Sequence, residues 1–586
     1  MIADAKQTYP NHKQSLCKRH LSARTQALIL FLIALAVYWA TPTGVNTFDA
    51  VAYANQIGLA AQTGTLRGLF HPHHLLFNAL GFALWRLARA LGYGDGPLVV
   101  LQRLNAVAGA WGVALFFLTI RRYVPRRTAW CAAGLLALSF SWWICATDGR
   151  VNMINGVLLL AAFSLLGQIL CTPSRKLVAL CGFVSGVAVL FHESAGLFVM
   201  VGLLGMVMAS REGRAGRCLA FSSMWTATIL LPYLLIGVVL LHLHSLTAFR
   251  HWSDAYAEQG QWWDFHITRN LGRDGYALRH AVFVEPPGRA ALGLNIPHSL
   301  LGHLWRMALL VTLRLLYVGT FTGWLAALTG LALAFPRLLR SRHRPTVILC
   351  LLWITVTSAF FTVWCPGYFV FWTPLLVPLL ILLSLALREW QLKIPCVLLI
   401  RMALIWTILV ALTNLTCSIA PHLRPNRTLW QRVAFDARAH TGPHALMIVA
   451  GAGADGQCEV DIPYFGHRAC LSVHEALNQS RSDLNAAPAL IQARITKALL
   501  AGRRVYVYVE IWTDPSTVHA LESHHPGLTS TTLAALFTPF QLIPSWTSPR
   551  GPIYRLRLRY LPIKSASRVL TGTNIAAYNN FEVHSS

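Results

Sequence analysis

Apolar runs of roughly 20 residues recur from about residue 25 to about residue 420, and arginine gathers in the short stretches between them. A run of that length is what an α-helix needs to cross a hydrocarbon core of about 30 Å. No water reaches that core, so the backbone must satisfy its own amides and carbonyls, and a repeated pattern of this kind leaves a bundle of spanning helices as the outcome. Composition agrees, since only 12% of the 586 residues are charged, against about 25% in soluble proteins.

The net charge of +27 would suit a nucleic-acid partner. Its position argues otherwise: short basic loops orient helices and meet anionic headgroups, so the charge is read as topology, with membrane lipids as partners and no nucleic acid. The twelve cysteines are scattered and form no CxxC pair, which excludes a zinc framework and a dense disulfide scaffold. Only Cys458 and Cys470 are candidates for a bridge, in an oxidising compartment.

The first 24 residues carry Lys6, Lys13, Lys18, Arg19 and Arg24, an N-terminal tail expected on the cytoplasmic side. No small-residue cleavage site follows the first apolar run, so it reads as a retained helix. From there about eleven spans are expected. They lie near 25–41, 98–120, 128–145, 151–171, a hairpin over 177–210, 218–241, 312–335, a span ending at Trp364, 369–387 and 396–419. The loop Arg121–Arg127 holds four arginines in seven residues, and every other strongly basic short loop falls on that same side. Segments 71–91 and 299–312 are apolar but interrupted by arginine and stay undecided. The long loop 242–300 interleaves Trp252, Trp262, Trp263 and Tyr276 with charges, the pattern of interfacial helices.

From about 421 the pattern changes. Residues 445–450 read as a buried strand, 487–500 as a helix, and 504–511 and 554–560 as alternating strands. The fold class expected is thus a polytopic α-helical membrane protein with a small α/β unit at its C-terminal end, over 421–586, on the extracytoplasmic face. Gly451-Ala452-Gly453 lacks the rest of a dinucleotide fingerprint and claims no nucleotide.

The stretch 41–91, just past the first span, is too polar to face lipid throughout. Asp49 within it is either a helix N-cap or a general base at the membrane surface. Asp148, just past the third span, is expected on the same face with Arg150 beside it, and two acids surfacing together favour a site. His71, His73 and His74 have a poor metal-ligand spacing and read better as polar residues opening an interfacial helix, able to donate to phosphate. Arg103, at the outer start of the second span, either snorkels or holds a lipid phosphate. Glu193, beside His192, is an ionisable group at the outer end of a helix, and either a structural hydrogen bond or a site role fits it.

This order of features resembles the C superfamily (GT-C) of integral-membrane glycosyltransferases: Asp49 after the first span, His71-Pro72 before an interfacial helix, the tract LQRLNAVAGAWGVALFFLTIRRYVPRR, and a second acid past the third span. The nearest branch is that of the dolichyl-phosphate-mannose–protein mannosyltransferases and the lipid A aminoarabinose transferases. The resemblance covers mainly residues 25–200. It implies an inverting transfer of one sugar from a polyprenyl-phosphate donor to a glycan, lipid or protein acceptor on the periplasmic or luminal face, and the compact, Arg- and Ala-rich style of the chain points to a bacterial inner membrane. The resemblance gives Asp49 the catalytic task with Asp148 as second acid, makes Arg103, Arg150 and His71 binders of the donor phosphate, and leaves His73, His74 and Glu193 lining the site. Some members of the superfamily use a divalent cation such as Mg or Mn. The chain departs from the protein mannosyltransferases in having a lone acid at Asp49 and not an Asp-Glu pair, and its tract WCPGYFVFWTP lacks a basic residue. A flippase of lipid-linked sugars and a non-catalytic envelope assembly protein are the competing expectations.

Overall fold

The structure, a computed structural model, describes residues 21–257, 262–286, 300–423, 428–451, 456–479 and 486–559. Lys6 to Arg19 of the tail, Ala452, Gly453 and Tyr560 lie outside them.

The chain opens with α1 (Ala23–Ala40), α2 (Phe48–Thr63), α3 (Phe77–Ala90) and α4 (Pro97–Ile120), followed by α5 (Arg126–Leu138) and α6 (Phe140–Thr147). Next come α7 (Asn152–Cys171), α8 (Arg175–Phe191), α9 (Phe198–Ala209) and α10 (Arg214–Leu234), the last extended by a π-helical stretch, Leu235–Leu240. The expected interfacial helices in the long loop are α11 (Leu246–Ala257) and α12 (Ile267–Val282). The bundle finishes with α13 (Leu300–Arg340), α14 (Arg344–Val363), α15 (Leu376–Trp390), α16 (Cys396–Asn414) and the short α17 (Ala420–His422).

All the expected spans are helical, but they are not equal. Seven helices among the described residues are long and apolar enough to cross a membrane, or eight if α5 and α6, bent by 57°, count as one span. The segment Glu193–Ala209 is apolar but shorter, and α15 has only 15 residues, most of them buried among other helices. Segment 71–91 is not a span: it is a turn followed by α3, which leaves Leu87 and Leu91 exposed along one side. Segment 299–312 merges into α13, whose 41 residues reach about 60 Å, twice a bilayer core.

Small residues set the closest helix contacts. On α8, Gly182 and Gly186 lie one turn apart against α10, where a Cβ on Gly182 would come 2.6 Å from the Phe221 carbonyl oxygen. Close backbone approach of this kind is how helices gain packing in lipid, where burial from water drives nothing. The basic loops meet at one end of the bundle: Arg388 donates to the Tyr123 carbonyl at 2.5 Å and lies 2.6 Å from His343. The loops after α1, α6 and α17 meet at the other, where Thr43 N–H donates to Thr147 and Gly44 N–H to His422.

On that second end sits the α/β unit: α18 (Leu429–His440), β1 (Leu446–Val449), α19 (Cys458–Gly466), β2 (Ala469–Ser472), α20 (Val473–Gln479), α21 (Ala486–Leu500), β3 (Val505–Tyr508), α22 (Glu510–Thr513), α23 (Pro515–His524), α24 (Ser530–Ala535), β4 (Phe540–Ser548) and β5 (Gly551–Leu558). The sheet order is β2-β1-β3-β5-β4. β1 is parallel to both β2 and β3, and the β4–β5 hairpin adds antiparallel. Strand alternation divides β1 between two cores. Leu446 and Ile448 pack with α20 and α21, whereas Met447 and Val449 pack with α18 and α19. No disulfide joins Cys458 to Cys470. The unit is tied to the bundle by Asn55, which donates to the Val460 carbonyl at 2.9 Å, and by Tyr464, whose hydroxyl accepts from Leu98 N–H at 3.2 Å.

Candidate active site

Two polar residues of α4, one turn apart, organise the end of the bundle that bears Asp49. Gln102 donates to the Thr43 carbonyl (2.9 Å) and to Asn46 Oδ1 (3.0 Å). Asn105, fully buried, donates to the carbonyls of Asp148 (2.7 Å) and Arg150 (2.6 Å). Buried amides bonded in this way fix the loops they touch. Gly149 lets the 148–150 loop tuck beneath α2, since a Cβ there would come within 3.1–3.3 Å of Leu98, Ala50 and Leu101.

Asp49 is not the cap of α2. The N-cap is Thr47, and Asp49 stands in the first turn. Among the described residues its carboxylate has no hydrogen-bond or ion-pair partner, and it lines a cavity of about 2870 Å³. The side chain is exposed on that cavity. Loss of solvation raises its carboxyl above the usual carboxylate range, Arg150 pulls it down and Asp148 pushes it up.

Asp148 is different in kind. It is fully buried, and its Oδ2 accepts from Thr47 Oγ1 (2.8 Å) and from Arg150 Nε (2.9 Å), while Oδ1 accepts from Gly149 N–H (2.8 Å). Its oxygens are thus occupied by protein, and it does not line the cavity. Arg150 is also buried, and its Nη1 has no hydrogen-bond partner among the described residues. Burial alone would lower the Arg150 guanidinium, but the charge of Asp148 outweighs it and holds the pKa above the ordinary value. Tyr53 and Tyr368 lie within electrostatic reach of Asp49 and line the same cavity, with burial pushing the Tyr368 phenol up to about 12.

The histidines form the adjoining wall. His71 stacks on His74 with ring centroids 4.1 Å apart, and His74 meets the Tyr53 ring at 4.6 Å. His73 Nδ1 lies 2.6 Å from Glu193 Oε1, joining two sequence candidates 120 positions apart in the chain. Burial tends to raise the Glu193 carboxyl, but the bond from His73 and its charge leave it below the usual range. Burial, then the other histidines, lowers His71; burial and His192 take His74 down to about 3; burial takes His192 itself to about 4. Those three imidazoles are neutral at physiological pH, serving as hydrogen-bonding groups.

Asp49, His71, His73, His74 and Glu193 therefore share one cavity. Asp148 and Arg150 stand behind its wall. Arg103 is elsewhere: its guanidinium lies 4.2 Å over the Trp39 ring and donates to the Trp39 carbonyl at 2.7 Å. Position along the chain put Arg103 at the correct end of α4, but helical phase turns it toward α1, while Gln102 and Asn105 turn inward. Those two amides within an apolar run were the available signal for the site's scaffold. The residues of the α/β unit that complete the cavity, among them Glu459, Glu475 and Arg494, carried none.

No three His, Cys, Asp or Glu side chains among the described residues converge in a metal-sized group, and the oxygens of Asp148 already serve Thr47, Gly149 and Arg150.

No family model matches the chain, and no curated protein matches it. Solved structures do. ArnT from Cupriavidus metallidurans bound to undecaprenyl phosphate superposes with a TM-score of 0.57 at 13% identity, over 91% of this chain and 98% of that one. The oligosaccharyltransferase of Archaeoglobus fulgidus in complex with Zn and sulfate gives a TM-score of 0.51 at 14% identity, over 91% of this chain and 73% of that one. With its apolar helices and these neighbours, the chain is an integral membrane protein with the fold of the C-superfamily (GT-C) glycosyltransferases.

Proposed function

We propose that the protein is a glycosyltransferase that moves a sugar from a polyprenyl-phosphate donor to an acceptor hydroxyl or amine on the extracytoplasmic face of a bacterial inner membrane. The observation that carries this reading is the contrast between two neighbouring acids. Asp148 is wholly engaged with protein groups, whereas Asp49 stands in the cavity with no bond to a described residue. The shared fold supports the donor class, since the Cupriavidus protein was crystallised with undecaprenyl phosphate.

Asp49 acts as general base. It takes the proton of the acceptor as the acceptor atom bonds to the anomeric carbon and the bond from that carbon to the phosphate oxygen breaks, which inverts the configuration. Its raised pKa suits a group that must gain a proton in one step and lose it in the next. Negative charge grows on the departing polyprenyl phosphate, and the positive charge of Arg150, buried behind the wall, favours it through the field it adds to the cavity. Neutral His71 and His74 donate hydrogen bonds nearer the phosphate. Asp148 is a positioning residue that holds Arg150 and, through Thr47, the start of α2. The bundle over 25–420 is the catalytic part, with the N-terminus cytoplasmic and residues 421–586 forming the extracytoplasmic part.

The test uses full-length protein in lipid nanodiscs with radiolabelled polyprenyl-phosphate sugars and an envelope extract as acceptor source. Donor-dependent release of polyprenyl phosphate is expected in wild type and not in Asp49→Asn. Equal turnover by both would rule out Asp49 as the base.

A further inference from the structure

Part of the lining of the cavity that holds Asp49 belongs to the α/β unit, and the transfer chemistry at Asp49 makes no use of it. β1 has a parallel neighbour on each side, reached by crossovers whose helices cover opposite faces of the sheet. Open α/β sheets of this kind bind ligands beyond the carboxyl ends of their strands. Here Gly451, just past β1, Ser472 at the end of β2, and His474, Glu475, Asn478 and Gln479 of α20 line the cavity.

Their side chains form a linked polar surface. Arg494 donates to Gln479 Oε1 at 2.5 Å, and Gln479 donates to Glu475 Oε1 at 2.9 Å. Ser472 Oγ accepts from Glu475 N–H at 3.0 Å, and Glu459 is hydrogen-bonded to Ser472. Gly451, at φ +75°, brings the backbone against this group, for a Cβ there would lie 2.0 Å from Ser472 Oγ. The charge of Glu475 is matched through Gln479 by Arg494. Burial pushes the Glu459 carboxyl up to about 8, so it is mostly protonated at neutral pH and offers an O–H as well as an acceptor oxygen.

This balance selects a ligand class. Among these residues the charge of Glu475 answers that of Arg494, which leaves neither an ammonium nor a phosphate an unanswered partner within the group, although Arg86, Arg438 and Lys497 also line the cavity. Vicinal hydroxyls, each a donor and an acceptor, match planar amide, carboxyl and guanidinium groups set side by side. We propose that this wall is a subsite for a neutral, polyhydroxylated sugar ring of the acceptor, held by Glu459, Glu475, Asn478, Gln479 and Arg494 in the cavity that Asp49 also lines. The subsite rests on the transferase reading above and names its acceptor class.

The experiment is saturation-transfer NMR on the full chain in nanodiscs free of glycosidic detergent. The probes are methyl glycosides of glucose, galactose and mannose, with tetramethylammonium and inorganic phosphate as competitors. Saturation of at least one glycoside is expected in wild type, and at least fivefold weaker in Gln479→Ala and in Asn478→Ala. If Gln479→Ala lowers the melting temperature, Asn478→Ala decides. The subsite is wrong if no glycoside is saturated, if the deciding variant binds like wild type, or if phosphate or tetramethylammonium displaces the sugar. Should Asp49→Asn still transfer sugar while glycoside binding depends on Gln479, the catalytic reading fails and the subsite stands.

Discussion

The hydroxyl of Thr47, the N-cap of α2, donates to Oδ2 of Asp148 at 2.8 Å and accepts no bond from its own helix. One bond therefore couples the loop after α1 to the loop after α6 and fixes the turn on which Asp49 sits. It also separates the two acids by role, and the separation can be measured.

Asp49→Asn should remove sugar transfer by a factor of about 10² to 10⁴, the range a general base supplies. The melting temperature should hold, because the Asp49 carboxylate is bonded to no described residue. A large fall in melting temperature with unchanged turnover per folded molecule would make Asp49 structural.

Asp148→Ala should do the reverse first. It leaves the buried Arg150 without its counter-charge, and breaking a buried ion pair in this way costs roughly 3–5 kcal/mol. Thermal melting in nanodiscs reads the effect, and a variant that melts with the wild type would contradict the buried pair.

Arg103→Ala should change transfer by less than about fivefold, since an exposed cation–π contact contributes only about 0.5–1 kcal/mol. Loss of donor binding, seen as a large rise in KM for the lipid-linked sugar, would return Arg103 to the site.

Stability of the α/β unit should fall as pH rises. Burial pushes Glu459 up to about 8 and Asp461 up to about 7, both above their unfolded values. The folded state then binds more protons than the unfolded one across this window, so stability is fullest at acid pH and declines as pH passes from about 5 toward 8. Hydrogen exchange of β1 and β2 amides against pH measures it, and Glu459→Gln should flatten the slope.

Gly182→Ala should loosen α8 from α10, because the added Cβ meets a backbone carbonyl that cannot turn aside. Overpacking of this sort costs about 1–3 kcal/mol. Gly216→Ala on α10, with nothing within 4 Å, is the matched control and should not destabilise. Equal melting of the two variants would argue against the α8–α10 contact.

Much of this architecture was legible along the chain. Run length marked the helices of the bundle, and the long loop 242–300 does carry helices, α11 and α12. A short apolar run found β1, and period-two alternation found β3 and β5. The site was legible in part: Asp49, the histidines and Glu193 meet in one cavity, and an acid with an arginine beside it does stand at Asp148. The undecided segments resolved in opposite directions, 71–91 into a turn and an amphipathic helix, 299–312 into the start of a helix far longer than a bilayer.

What the sequence determined by itself is what hydropathy acts on locally: which segments form apolar helices, where the chain turns to an α/β unit, and where polar groups are too costly to be idle. Tertiary structure decided the rest, because rotational phase and burial are properties of contacts between distant segments. Arg103 and Asn105 are two residues apart, yet one stacks on Trp39 and the other pins the 148–150 loop. Asp49 and Asp148 are the same side chain, yet packing engages one completely and leaves the other to the cavity.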